Sequence, residues 1–186
     1  GDVYKRQEPS YIADVAHELS EVVGEKFITA DNLIDATNNT DIFADSSSGM
    51  KVTALVLIKM ANDFRLMASG PRCGIGELKL PPRQPGSSIM PGKVNPVIAE
   101  VLNQVCYQVV ANDLAVTLGV ENGQFELNVM EPVIAYNLFN AMCYLKNGVN
   151  TFVDKLLIDL EVDRERCAYW LNRSCLLYTS DAADEL

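Results

Sequence analysis

Residues Gly86 to Asn95 read Gly-Ser-Ser-Ile-Met-Pro-Gly-Lys-Val-Asn, a run in which two hydroxyls, one cation and one amide fall within ten positions. Gly86 and Gly92 open backbone angles closed to other residues. Pro85, Pro91 and Pro96 exclude a helix interior, so the stretch is expected to form a loop. A loop of this content can bind a carboxylate through its lysine and asparagine while holding a serine oxygen as a base. The same composition also makes an ordinary polar turn between helices.

The elements on either side must position this loop. Tyr11 to Val23 carries Ile12, Val15, Ala16, Leu19 and Val22 or Val23 at helical spacing, and Gly24 is a natural stop. Thr29 is expected to cap a short helix through Leu33, Ile34 and Ala36. A long helix is expected from Asp41 to Ala68, with Val52, Leu55, Val56, Met60, Phe64 and Met67 on its inner face. Ser69-Gly70-Pro71 ends it. Pro96 opens a second long helix with Val97, Val101, Val105 and Val109 in one stripe and Leu102, Cys106, Val110 and Leu114 in another. A third is expected over Glu131 to Leu157, with Val133, Leu138, Met142, Leu145, Val149, Phe152 and Val153 inward. Asp163 caps a last short helix to Leu171. Nothing reads as a strand, so the fold class is all-α. Helices apolar on more than one face pack inside a bundle or against other subunits.

Composition narrows the function. The 186 residues carry a formal charge of −10 with no basic cluster, which argues against a nucleic-acid partner. An anionic substrate stays compatible, because Lys93 and Arg72 act locally. No apolar run approaches the length of a membrane span, and no membrane partner is expected. Cys73, Cys106, Cys143 and Cys167 are irregularly spaced, which suggests neither a zinc site nor a disulfide framework. Reduced, mostly buried thiols and a cytoplasmic location are the expectation.

The run Gly86–Pro96 followed by Glu100 resembles the signature loop of the fumarase/aspartase superfamily. The likeness extends from Tyr11 to Arg173 and includes Asp35-Ala36-Thr37, Ala61-Asn62-Asp63, Ser69-Gly70-Pro71-Arg72, Asn112-Asp113 and Leu127-Asn128-Val129-Met130-Glu131-Pro132. It implies a long-helix bundle that assembles as a homotetramer with active sites shared between subunits. Residues 8–158 would be part of the central bundle, with the loop at 86–95, and residues 159–174 would begin a small C-terminal helical domain.

The resemblance also implies the chemistry. Superfamily members eliminate an amine or water from a succinyl-type substrate to leave fumarate; no organic cofactor is expected, and no residue is assigned to a metal. The proton removed lies beside a carboxylate, so the reaction needs a strong base and preorganised donors for the developing aci-carboxylate. By resemblance Ser87 is the base and Ser88 donates to the aci-carboxylate. Lys93 and Asn95 then hold the other carboxylate, and Glu100 is the acid that orients an active-site histidine. Free serine is a poor base, so loop amides and nearby positive charge must lower its pKa. The glycines would let the loop close and expel water. His17, the only histidine, matches no catalytic motif of the superfamily and reads as a surface residue. Arg72 is expected to tie the loop base to a neighbouring helix.

Within the superfamily, Asp35–Asp41, Leu80-Pro81, Arg83-Gln84-Pro85, Asn103-Gln104-Val105 and Val129–Pro132 resemble aspartases. Pro71–Glu77 and Phe125–Asn128 lean toward fumarases. The aspartase-like segments are more numerous, which implies elimination of ammonia from L-aspartate. Hydration of fumarate to malate is the alternative, and a non-catalytic structural member of the superfamily is another. The upstream Thr-His segment and other carboxylate binders of the superfamily have no counterpart here, so the chain is expected to be an inactive fragment on its own.

The ends are expected to be foreign. Asp2–Gln7 can be written in codons whose reverse complement, shifted by one frame, encodes Cys-Leu-Leu-Tyr-Thr-Ser, the residues found at Cys175–Ser180. That DNA resembles a transposase sequencing adapter, so Gly1–Gln7 and Cys175–Leu186 are excluded from the fold reading.

Overall fold

The computed structural model describes residues 9–90 and 92–174; the adapter-like tails, 1–7 and 175–186, lie outside the described residues. In chain order the elements are α1 (Pro9–Val23), α2 (Leu33–Asn38), α3 (Asp41–Met67), β1 (Leu78–Lys79), α4 (Val97–Val120), α5 (Glu131–Phe152), β2 (Glu161–Val162) and α6 (Arg164–Leu171). The architecture is all-α, built on α3, α4 and α5. Helix α5 ends earlier than its apolar spacing predicts, because the chain widens into a π turn over Val153–Leu157, where Ile158 N–H donates to Val153 O at 3.2 Å.

Local signals explain most boundaries. Gly24 takes φ +77 and stops α1, as expected. The cap of α2 is Asn32 rather than Thr29: its side chain accepts from the amides of Ile34 and Asp35, both at 3.1 Å. Asn and Asp lead at this position because a short, planar oxygen reaches the first free amides. Asp163 caps α6 as expected, accepting from Arg166 N at 3.0 Å. Across the Ser46–Gly49 stretch α3 stays unbroken, with Ser46 Oγ donating back to Ile42 O at 2.8 Å. The strands were not anticipated from the sequence. β1 and β2 form a two-residue antiparallel ladder, Leu78 opposite Val162 and Lys79 opposite Glu161, too short to show an alternation.

Helices α3 and α5 both run antiparallel to α4, since Ser47 meets Asp113 while Asn62 meets Asn103, and Gly119 meets Ile134 while Gly148 meets Val105. A side chain at either glycine would enter its neighbour, so both keep α4 and α5 close. The core is Ala54, Ala61, Ala99, Leu102, Cys106, Val109, Ala141, Phe152 and Leu156, with Phe64 set edge-on to Phe152 at 5.6 Å. A smaller cluster of Val116, Ile134 and Leu138 continues it.

This packing corrects the expected faces. Val52, Leu55 and Val56 were assigned inward, yet each is more than half exposed. The face that packs within the chain is instead Ser47, Ala54 and Ala61, flanked by Leu57, Ile58 and Phe64. Small residues let the α3 backbone approach α4, and the larger residues turn outward. On the other long helices Val101, Leu114, Val133 and Met142 are likewise exposed, as is Val153 in the π turn. Helix α1 buries none of its residues, so its apolar stripe is also uncovered.

Polar groups fix the register. Buried Asp113 accepts from Ser47 Oγ at 2.9 Å and from Lys51 Nζ at 2.6 Å. Asn128, 1 % exposed, donates to Thr40 Oγ1 at 3.1 Å and Gly119 O at 3.0 Å, and accepts from Met130 N at 2.9 Å. One side chain therefore joins the start of α3, the end of α4 and the start of α5.

Among the cysteines, Cys106 is fully buried while Cys73 and Cys143 are exposed. Burial pushes the Cys106 thiol up from 9.0 to about 11. The unfolded chain therefore loses this proton first, and the contribution present below pH 9.0 is lost as pH rises toward 11. Iodoacetamide at pH 8 is expected to label Cys73 and Cys143 in the native chain and to spare Cys106. Mass spectrometry showing Cys106 modified as fast as Cys73 would contradict this packing.

Candidate active-site loop and cleft

The loop after β1 is held at both ends. Before it, the Arg83 guanidinium donates through Nε to Lys155 O at 2.7 Å and pairs with Asp159, which anchors the entry to the π turn. After it, Pro96 leads into α4, and Glu100 N–H donates to Pro96 O at 3.0 Å. Between these anchors the chain folds back on itself. Met90 N–H donates to Ser87 O at 3.3 Å, and Lys93 N–H donates to Met90 O at 3.2 Å.

The glycines have separate duties. A Cβ on Gly86 would lie 2.8 Å from Lys93 O, so Gly86 is needed where the two arms of the loop touch. Gly92 takes φ +82, a left-handed conformation that other residues rarely adopt.

Ser87 is half-buried and its Oγ accepts from Ile89 N–H at 3.3 Å. Ser88 and Lys93 are exposed, and Asn95 and Glu100 are half-buried. Lys93 and Asn95 come together on the wall of an open cleft of about 540 Å³, with Arg65 and Ser69-Gly70-Pro71 on the other sides. Neither Ser87 nor Ser88 lines that cleft. The loop thus brings its cation and amide to one cavity and carries its serines at the margin. Lys93 and Arg65 thus bring two cations to the cleft, the second of them paired with Glu100.

Arg65 was missed from the sequence. It lies near the end of α3, where a solvated basic residue is unremarkable. Its guanidinium reaches the cleft and sits 3.7 Å from the Glu100 carboxylate, with Nη1 donating to Asn62 Oδ1 at 3.4 Å. Within this chain Glu100 therefore faces an arginine. His17, as expected, is on the surface, 3.5 Å from Glu21.

Arg72, expected to tie the loop base down, is exposed and makes no side-chain hydrogen bond or ion pair among the described residues. That contact is made from the far end of the sequence. Arg166 donates through Nε to Ile75 O and through an Nη to Gly74 O, both at 2.9 Å. Trp170 Nε1 donates to Ile75 O at 2.7 Å. Nearby, Lys79 Nζ lies 2.9 Å from Asp163. Hydrogen bonding to Asp163 raises the Lys79 pKa, and the bonds from Lys79 and from the Arg166 amide lower that of Asp163.

The sequence profile of a family described as Lyase matches residues 4–111. Aspartate ammonia-lyase from Bacillus subtilis (strain 168) is 46% identical over 173 residues, which is 93% of this chain and 36% of the relative. Aspartate ammonia-lyase from Helicobacter pylori (strain ATCC 700392 / 26695) is 45% identical over 172 residues, 92% of this chain and 37% of the relative. The chain thus spans little more than a third of the length of these curated relatives. Among solved structures, a fumarate lyase:delta crystallin from Brucella melitensis superposes with a TM-score of 0.88 at 44% identity, covering 91% of this chain and 40% of that one. A recombinant class II fumarase from Schistosoma mansoni superposes with a TM-score of 0.86 at 33% identity, covering 92% and 39%.

Proposed function

This chain belongs to the fumarase/aspartase superfamily of lyases, and we propose that it is the signature-loop portion of an aspartate ammonia-lyase. The observation that carries the choice within the superfamily is the higher identity to curated aspartate ammonia-lyases, 46% for the Bacillus subtilis protein, than to the class II fumarase, 33%. The cleft supports a dicarboxylate substrate, because Lys93, Asn95 and Arg65 offer donors and no acid lines it.

In the proposed reaction Lys93 and Asn95 hold the α-carboxylate of L-aspartate. The Ser87 alkoxide removes a proton from the carbon beside the side-chain carboxylate, and the electron pair moves into that carboxylate as an aci-carboxylate. Ser88 donates a hydrogen bond to the new charge. Collapse of the aci-carboxylate forms the double bond and expels ammonia from the α-carbon, leaving fumarate. The amide of Ile89 at Ser87 Oγ supports the alkoxide; closure of the loop over substrate would add donors and remove water. Glu100 holds Arg65 at the cleft. The histidine that the resemblance pairs with Glu100 is taken to lie in the part of the longer protein that this chain does not span.

The exposed apolar faces of α3, α4 and α5 support burial against other subunits, and a homotetramer with shared sites is the assembly proposed. Residues 8–158 would lie in its central bundle and 159–174 in the small C-terminal domain.

A second reading, fumarate hydratase, draws on the fumarase-like segment Cys73-Gly74-Ile75-Gly76-Glu77, which is continuous with the Ser69–Pro71 wall of the cleft. The two are separated by assembling the full-length protein and following fumarate absorbance with L-aspartate and with L-malate in separate cuvettes. Faster turnover of L-aspartate is expected. Faster turnover of malate would overturn the aspartase reading and leave the loop chemistry standing.

A further inference from the structure

Ser69-Gly70-Pro71 forms part of the wall of the cleft that Lys93 and Asn95 line. These residues open a short loop that closes on itself: Ile75 N–H donates to Ser69 Oγ at 3.1 Å, and Glu77 N–H donates to Met67 O at 2.9 Å. The same three residues, with Ala68, Leu80, Gly92 and Val94, also line an adjoining cleft of about 340 Å³, which Arg166, Asp163 and Lys79 line as well. The two clefts thus adjoin along this segment, one lined by Lys93 and Asn95 and the other by Arg166 at the start of α6.

We infer that Arg166 is a positioning residue for the carboxylate cleft, acting through the loop that forms this wall. The inference rests on the reading of that cleft as the dicarboxylate site. Arg166 is suited to the task because its planar guanidinium bridges two successive carbonyls, Gly74 O and Ile75 O, which an ammonium on a flexible stem cannot do in the same way. Its own position is fixed by packing against the rings of Tyr169 and Trp170, at 5.1 and 4.9 Å. A second tie runs beside it, where Asp163 N–H donates to Glu77 O at 2.8 Å. Segment 159–174 thereby sets where the wall stands, although none of its residues lines the cleft that holds Lys93 and Asn95. Misplacement of a binding wall by about 1 Å is enough to cost a large factor in rate or binding.

The test uses the full-length enzyme and the variants Arg166→Ala, Arg166→Lys and Trp170→Phe. The readouts are amide exchange at residues 70–77, the oligomeric state, and kcat and KM for L-aspartate. With the assembly intact, Arg166→Ala is expected to speed exchange at Ile75 and Glu77 and to raise KM by roughly tenfold, with a smaller fall in kcat, as two charge-assisted bonds are lost. Arg166→Lys should recover part of the KM effect. Trp170→Phe, which removes one donor to Ile75 O, should shift both readouts in the same direction by less. If Arg166→Ala fails to assemble, the Lys and Phe variants decide. Exchange and KM both within twofold of the unmodified enzyme would overturn the inference, as would a loosened loop with KM unchanged. An unmodified enzyme that prefers malate would defeat the aspartase reading instead, and the exchange comparison would still decide whether Arg166 sets the wall.

Discussion

Ser87→Ala in the full-length enzyme is expected to abolish turnover while leaving the assembled protein intact. The loss should exceed the ~10²–10⁴ typical of a supporting acid–base group, because no other oxygen base of this loop occupies the same position to take the proton. Ser87 is half-buried at a turn, and its Oγ only accepts a weak bond from Ile89 N–H. Removing that oxygen therefore costs the fold little, and a drop in rate reads out chemistry. Steady-state fumarate formation by the purified variant checks this. Retention of even a tenth of the unmodified rate would remove Ser87 from the role of base and turn attention to Ser88.

The largest stability effect should come from Lys51→Met. Asp113 is 4 % exposed and its carboxylate has two partners, Ser47 Oγ and Lys51 Nζ. Without the lysine a buried carboxylate keeps one neutral donor. Breaking a buried ion pair on one side costs about 3–5 kcal/mol. The Lys51 side chain is about a third exposed, so water can partly replace it and the lower end of that range is expected. The double variant Lys51→Met with Asp113→Leu should recover most of the loss, since the uncompensated charge is gone. Urea unfolding at one fixed protein concentration measures both. A loss under about 1 kcal/mol for the single variant would show that solvent reaches Asp113 in the folded chain.

Much of the scaffold was legible in the residues. Gly24, Pro96, Pro132 and Asp163 mark helix ends through local chemistry, and each end is where a missing donor, a left-handed glycine or a side-chain oxygen would put it. The loop at 86–95 was legible for the same reason, since its prolines and glycines act within a few bonds of themselves. The cap of α2 was misassigned because Thr29 and Asn32 are both competent, and only the path of the chain chooses between them. The π turn after Phe152 escaped notice because Val153–Leu157 keeps an apolar spacing that suits an α-helix equally well.

The inner faces of the long helices were less legible. Helix α3 carries apolar residues on most sides, so spacing alone cannot say that Ala54 and Ala61 meet α4 while Val52, Leu55 and Val56 turn outward. That outcome depends on how closely two backbones approach, which is a property of the pair. The same holds for the site. Arg65 and Glu100 lie on different helices, and Arg166 meets Gly74 from across the fold. No local signal marks either contact.

The sequence by itself determined most helix ends, the loop and the kinds of group the loop carries, because these follow from backbone angles and side-chain chemistry within a few residues. Only the tertiary structure decided which apolar faces are covered, that Lys93 and Asn95 share a cleft with Arg65, and that Arg166 of α6 bonds the carbonyls of Gly74 and Ile75. Those depend on distances between segments far apart in the chain, and such distances are set by close packing and by the few hydrogen bonds that packing permits.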